Sequence, residues 1–189
     1  YLKDFDPTIA AAAAKILSDW TGDIYVAEPQ SRERPSVPSP EDLRSMAGSQ
    51  VIFELTGGTS FDVRLFPYDA PTVTARFVQL VKSGYFNGLS FHRVAPNFVI
   101  QGGSPGANEF MGAERYTRDE ITDRSHTRGT LGISTRGRDT GDAQIFVNLA
   151  DNLRLNHNYT IWGEVIRGMA TVDAVQEGAV ISKVRIVER

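Results

Sequence analysis

Residues 91–103 read FHRVAPNFVIQGG, and two short β-rich runs can be marked out around them, at 89–94 and 98–101. In the first run the charge of Arg93 interrupts apolar sequence, and alternation is expected to put it on the same face as Phe91. In the second, Gln101 closes a run of Phe98, Val99 and Ile100. A third run, QIFVNL (144–149), puts Gln144, Phe146 and Asn148 on one face and Ile145, Val147 and Leu149 on the other. Arginine and glutamine on faces shared with phenylalanine are costly to bury unless they are hydrogen-bonded. Each alone reads as a strand with a solvated polar face. Three on neighbouring strands point to an organised polar site.

Working outward, Val51–Leu55 and Phe61–Phe66 flank Gly57-Gly58, which is a hairpin signal. Residues 71–83 read as a helix opened by Pro71 and closed by Gly84, with Val73, Phe77, Leu80 and Val81 buried. Further strands are expected at 130–135, 144–149, 159–166 and 181–188. A second short helix is expected at 169–177, with Met169, Val172 and Val175 facing inward. Many short strands with few helices predict a mainly β fold, a closed antiparallel barrel capped by two helices. The stretch 102–129 is glycine-containing and aperiodic. It is too long for a mere connection, so it reads as a functional loop.

The N-terminal part differs. Asp6-Pro7 is a helix start, and Ile9, Ala13, Ile16, Leu17 and Trp20 form one stripe of an Ala-rich helix that ends at Gly22. A helix of this length is marginal alone, so it is expected to dock on something. Residues 27–41 are rich in proline and charge and read as an extended linker. The expected organisation is a helical segment at 1–26, resembling the last helix of a HEAT-like repeat, then a linker at 27–45 and a main domain at 46–189. No internal repeat is visible. The chain opens on Tyr1, so a preceding segment is expected in the full protein.

Composition removes several chemistries. The 189 residues carry 20 basic and 23 acidic side chains, a net charge of −3, which disfavours a nucleic-acid surface built on bulk positive charge. With no cysteine there is no thiol nucleophile, disulfide or iron–sulfur site, and no compartment is chosen. The longest apolar stretch, Ile9–Ala14, is far below the ~20 residues of a membrane span, so a soluble protein is expected. His92, His126 and His157 have no zinc-ligand spacing. Asp139 and Asp142 lack a calcium-loop ladder and read as a polar turn. Ser60, Ser90 and Ser104 lack a neighbouring base. No metal or cofactor is expected.

FHRVAPNFVIQGG resembles the signature of the cyclophilin-type peptidyl-prolyl cis/trans isomerases. So do PTVTARFVQLV before it, and TLGISTRGRDTGDAQIFVNL and LNHNYTIWGEV after it; the resemblance spans roughly 50–188. It implies an eight-stranded closed barrel with an active groove on its outside. Carried over, it implies Arg93 as the catalytic arginine, Phe98 as the proline-pocket floor, and Gln101 beside them. His92 belongs to the same triplet as Arg93, Val99 is the next wall, and Ser134 and Thr135 supply backbone along the substrate. Gln144, Phe146 and Leu155 complete the pocket, while Tyr159 takes the place of a histidine. Val99 stands where methionine is common. Arg154 stands where many members carry an aromatic that packs on the inhibitor cyclosporin, so weak cyclosporin binding is implied. The implied partners are proline-containing peptides or unfolded clients. The competing reading is a catalytically weak proline-peptide binding or scaffold module of a larger protein.

Overall fold

A computed structural model describes residues 1–4, 6–30, 37–113 and 115–188. The chain divides into two compact units, Tyr1–Pro35 and Ser36–Arg189. In the first, helix α1 spans Pro7–Thr21. The Asp6 carboxylate accepts the Thr8 N–H at 2.8 Å, Pro7 takes the first turn, and Gly22 stops the helix at φ 79. The buried side is not the large-residue stripe: Ala10 and Ala14 are buried, whereas Ile9, Ile16 and Trp20 are exposed. The returning chain is tied back by Tyr25 N–H to Ser18 Oγ and by Glu28 N–H to Leu2 O, each at 2.9 Å.

The expected linker 27–45 is only partly extended. Residues 31–36 lie outside the described residues, and helix α2 already begins at Pro40 and runs to Gly48. Its start is a capping box: the Ser39 hydroxyl accepts the Asp42 N–H at 3.1 Å, and the Asp42 carboxylate accepts the Ser39 N–H at 2.9 Å. The Ser39-Pro40-Glu41-Asp42 spacing carried that signal, and the neighbouring prolines masked it.

The second unit then runs β1 Ser49–Leu55, β2 Ser60–Leu65, α3 Pro71–Lys82, β3 Arg93–Ala95, β4 Val99–Gly102, β5 Thr130–Ile133, β6 Ile145–Asn148, a 3-10 turn Leu153–Leu155, β7 Ile161–Arg167, α4 Met169–Asp173 and β8 Ile181–Glu188. All pairings are antiparallel, in the order β3-β4-β6-β5-β7-β2-β1-β8. The closed barrel capped by two helices is corrected on two points. Among the described residues α2 joins the two expected capping helices and the expected N-terminal helix, and the ladder is open between β3 and β8. The open edge arises because only Arg93–Ala95 are extended; Leu89–His92 do not continue the strand. The segment before β3 meets the start of β8 through one isolated bridge, Ser90 to Val180. It also makes backbone bonds such as Phe91 N–H to Ala179 O at 2.9 Å. Farther along β8, the Asn87 side chain accepts the Val184 N–H at 3.1 Å, so a side chain stands where a strand would.

Phenylalanines and Trp162 fill the concave side of the sheet. Phe53 stacks on its cross-strand partner Phe61 at 4.7 Å, and Phe77 of α3 lies 4.2 Å from Trp162. Phe91 belongs to this core, fully buried and 6.5 Å from Phe61. It therefore does not share a face with Arg93, because alternation lapses before β3 begins.

The long loop contributes a structural device as well. Ala70 offers no side chain to cap α3. Instead Glu120 reaches in, its carboxylate accepting Thr72 N–H at 3.0 Å, Thr72 O–H at 2.5 Å and Val73 N–H at 2.9 Å. An anion at the first turn satisfies orphan donors and complements the helix dipole. Replacing Glu120 by Ala should therefore lower stability by about 1–2 kcal/mol, measured by chemical denaturation. An unchanged midpoint would show that water caps α3 equally well.

Candidate functional site

The site begins with the β3–β4 hairpin. Phe98 N–H bonds to Ala95 O at 3.0 Å, and Asn97 takes φ 57, a left-handed conformation asparagine tolerates in turns. The register pairs Arg93 with Gln101 and Ala95 with Val99, and β4 pairs Gln101 with Phe146 and Val99 with Asn148. Strand alternation then separates two faces. Ile100, Ile145 and Val147 enter the core, while Val99, Gln101, Phe146 and Asn148 lie on the other side of the sheet. The division expected for residues 144–149 is the one observed.

On that outer face a hydrogen-bond relay orders the polar groups. Arg93 Nη1 donates to Gln101 Oε1 at 3.3 Å. Gln101 Nε2 donates to Ser134 Oγ at 3.1 Å and to Gln144 Oε1 at 2.9 Å. Gln144 Nε2 ends the relay on two loop carbonyls, Asn108 O at 3.0 Å and Met111 O at 2.7 Å. Both glutamines are buried with partners on both ends of their amides, so the cost of burying them is offset. Arg93 keeps a wet head: its Nε pairs with Glu109 Oε1 at 3.5 Å, with its side chain 40% exposed.

Two guanidiniums address the Phe98 ring. Arg154 Cζ lies 4.5 Å from the ring centroid and Arg93 Cζ 5.8 Å from it. Beyond Phe98, the buried Phe146 meets Tyr159 edge-on at 5.8 Å and stacks against His126 at 5.7 Å. Leu155 lies half-buried at the end of the 3-10 turn beside Arg154. Thr135 follows Ser134 along a narrow cleft shared with Glu109 and Gln144.

The structure thus brings Arg93, Phe98, Gln101, Ser134, Gln144, Phe146, Tyr159 and Arg154 into one connected surface. His92 makes no hydrogen bond to it. Its ring nitrogens are shielded from solvent without a well-aligned partner, and burial holds its pKa below the ordinary histidine value, against the pull of Glu109. Ser104 stands in a Gly-x-Ser-x-Gly spacing, but it is 1% exposed and its hydroxyl accepts the Asn108 N–H at 3.3 Å. It is a loop brace. No cluster of metal-ligating side chains occurs among the described residues.

Sequence reasoning missed Glu109, which lies in the aperiodic loop, and the buried partners of Asn148, His126 and Asn152. Asn148 Nδ2 donates to Thr130 Oγ1 at 2.9 Å and faces His126 Nδ1 at 3.2 Å. Asn152 Nδ2 donates to Asn148 Oδ1 at 2.8 Å and to Phe98 O at 2.9 Å. Asn148 was already on the site face by alternation; its partners had no local signal.

Residues 51–189 match the family model described as "Cyclophilin type peptidyl-prolyl cis-trans isomerase/CLD". The chain is 34% identical over 137 residues to peptidyl-prolyl cis-trans isomerase B of Bacillus subtilis, covering 71% of this chain and 95% of that one. It is 35% identical over 141 residues to a peptidyl-prolyl cis-trans isomerase of Synechococcus elongatus, covering 74% and 97%. Among solved structures it resembles a Cryptosporidium parvum cyclophilin-type isomerase crystallised in the presence of the dipeptide Ala-Pro. There the TM-score is 0.64 and the identity 26%, covering 74% of this chain and 98% of that one.

One glycine underwrites the aromatic wall. Gly132 lies opposite Phe146 in the β5–β6 register, and a Cβ at 132 would stand inside contact distance of the Phe146 ring. Gly132→Ala should therefore displace the ring and destabilise the unit by about 1–3 kcal/mol, read as a lower denaturation midpoint. A midpoint equal to wild type would mean that the wall repacks freely.

Proposed function

The chain belongs to the cyclophilin-type peptidyl-prolyl cis-trans isomerases, and from that premise we propose that its outer groove catalyses rotation about X–Pro bonds through Arg93, Phe98 and Gln101. The observation that carries this reading is the Arg93 guanidinium held by Gln101 on one side and set beside the Phe98 ring on the other. Phe98, Val99, Phe146 and Leu155 receive the prolyl ring. Ser134 and Thr135 lie along the substrate backbone, and His92, Gln144 and Tyr159 complete the substrate-binding set. Catalysis is assigned to residues 46–189, since every one of these side chains lies there. Residues 1–26 are assigned as a helical segment and 27–45 as its connection, ending in the first turns of α2.

Prolyl isomerisation needs neither nucleophile nor cofactor. The amide resists rotation by ~18–20 kcal/mol because the nitrogen lone pair is shared with the carbonyl, and X–Pro bonds exchange in tens to hundreds of seconds. As the bond twists, that lone pair localises on the prolyl nitrogen and becomes a hydrogen-bond acceptor. Arg93 is a permanently charged donor, and its bond to Gln101 fixes the direction in which it donates. A 10⁵-fold acceleration requires about 7 kcal/mol of preferential transition-state binding. One charge-assisted hydrogen bond supplies roughly 1.5–3 kcal/mol. The remainder falls to the apolar pocket, which removes water from the amide, and to the clamped substrate backbone. The partners are proline-containing peptides, with unfolded proteins as the physiological clients.

Because Arg93 is half in solvent, its removal should spare the fold. Arg93→Ala should lower kcat/KM for a short X–Pro peptide by about tenfold or more, roughly 1.4 kcal/mol per decade, in a coupled isomerisation assay. Full activity in the variant would make Arg93 a strand-surface residue and end this mechanism.

Arg154 bears on inhibitor binding. Its head rests over Phe98, and no carboxylate among the described residues pairs with it. An apolar macrocycle such as cyclosporin would have to desolvate that charge. Cyclosporin should bind about one to three decades more weakly than to an Arg154→Trp variant (about 1.4 kcal/mol per decade), with turnover of a small peptide comparable. Calorimetric titration of both proteins checks this. Equal affinities would mean that the aliphatic stem of Arg154 substitutes for the ring.

A further inference from the structure

His126 is fully buried, carries no catalytic assignment, touches two walls of the groove from behind and reaches a third through hydrogen bonds. Its ring stacks on Phe146 at 5.7 Å with 23° between planes and meets Tyr159 edge-on at 6.4 Å. Its Nε2 lies 3.2 Å from Tyr159 O, and its Nδ1 lies 3.2 Å from Asn148 Nδ2. Through Asn148 Oδ1 and Asn152 Nδ2 the chain of bonds continues to the carbonyl of Phe98. The Asn152 backbone N–H returns to His126 O at 2.7 Å, and the His126 N–H is held by Asn156 Oδ1 at 2.9 Å.

The bonding pattern determines the protonation state. Asn152 Nδ2 donates to Asn148 Oδ1, so the Asn148 NH₂ group faces the imidazole, and it also donates to Thr130 Oγ1, which itself donates to Thr127 O at 2.7 Å. His126 Nδ1 must then accept. Tyr159 O can only accept, so Nε2 carries the proton and the ring is neutral. A second proton on Nδ1 would set donor against donor. Turning the Asn148 amide over would relieve that clash only by placing NH₂ against NH₂ at Asn152 and oxygen against the Thr130 carbonyl.

Resting on the isomerase reading above, we propose that His126 is a positioning residue: the neutral imidazole locks Phe98, Phe146 and Tyr159 in their catalytic arrangement, and its protonation releases them. Among the described residues no charged side chain acts on the ring to favour the cation. The ionisable group packed on it is Tyr159. From the loop and strands around it, Arg128 is engaged by Asp173 and Leu149 O, and Asp151 accepts the Arg128 N–H. Burial accordingly holds the His126 pKa below the ordinary value, opposed only by the bond to Tyr159 O. The unfolded state binds the proton more readily. The contribution of neutral His126 is therefore complete above the ordinary histidine pKa of ~6.5 and is lost as pH falls through the lower folded value.

The test is kcat/KM on an X–Pro peptide from pH 8 to pH 4.5 for wild type, His126→Gln and His126→Phe, with circular dichroism at each pH. Wild type should show an acidic limb while still folded. His126→Gln can still donate to Tyr159 O but cannot ionise, so its limb should vanish. His126→Phe keeps the stack and loses both bonds, and its kcat/KM should drop about tenfold at pH 7.5, mostly in kcat. A Gln variant with the wild-type limb would assign it to another group, His92 above all, and overturn the proposal. So would a Phe variant with wild-type kinetics. If that variant does not fold, the Gln comparison decides. A readout independent of turnover is the NMR titration of the His126 ring. The Phe98, Leu149 and Tyr159 amide signals should move with it, and amides that stay still would equally overturn the proposal. Absence of isomerase activity in wild type would instead strike the reading on which this one rests.

Discussion

The amide-to-amide bond from Gln101 to Gln144, 2.9 Å across two strands, is the constraint on which the groove depends. Both side chains lie on the outer face of a sheet whose inner face is committed to phenylalanine packing, so neither can turn inward without displacing core. Once they are bonded, each glutamine has one amide end left. Gln101 offers its carbonyl to Arg93, and Gln144 offers its NH₂ to the loop carbonyls of Asn108 and Met111. The arginine, the β4–β6 ladder and the long loop are thereby held in one frame. The loop in turn returns Glu109 to Arg93 and Glu120 to the start of α3. The proposed role of Arg93 at a twisting amide requires this restraint, because an unrestrained arginine loses rotamer entropy at each turnover.

The groove joins two environments with different electrostatic behaviour. The Arg93–Glu109 pair is half-exposed, and such pairs contribute ~0–1 kcal/mol and are screened by salt. It orients rather than stabilises, and a substrate can displace it cheaply. The network behind the pocket, from His126 through Asn148 and Asn152 to the Phe98 carbonyl, is buried. There an unmade bond costs ~1–3 kcal/mol, so disorder in one member is transmitted to the next. The front of the groove is yielding and the back is stiff, which suits the proposed role of holding one prolyl ring position for varied sequences.

Much of this was legible in sequence. Alternation in QIFVNL assigned Gln144, Phe146 and Asn148 to one face, and the Gly57-Gly58 hairpin, the helix opened by Pro71 and the Asp6-Pro7 start are all where local chemistry places them. The failures have physical causes. α2 begins inside a proline-rich stretch whose composition outweighed its capping box. Phe91 was placed on the Arg93 face because alternation was extended past the point where extended backbone starts. The open ladder between β3 and β8 was not legible because barrel closure depends on distant segments meeting, and no local pattern encodes that. The same reason hid Glu109, Glu120 and His126. Each lies in aperiodic chain and gains its role from partners far away in sequence.

A surface hollow of the second unit lies apart from the groove. It lies between α2 and α3, lined by Met46, Val78, Gln79, Lys82 and Ile186. The most direct test of the account is therefore where the proline sits. Intermolecular nuclear Overhauser effects between an Ala-Pro peptide and the full chain, recorded under conditions where cis/trans exchange peaks are also visible, read binding and catalysis together. The account predicts accelerated exchange with contacts from the prolyl ring to Phe98, Val99, Phe146 and Leu155. Contacts confined to the α2–α3 hollow, or prolyl contacts in the groove without accelerated exchange, would contradict it.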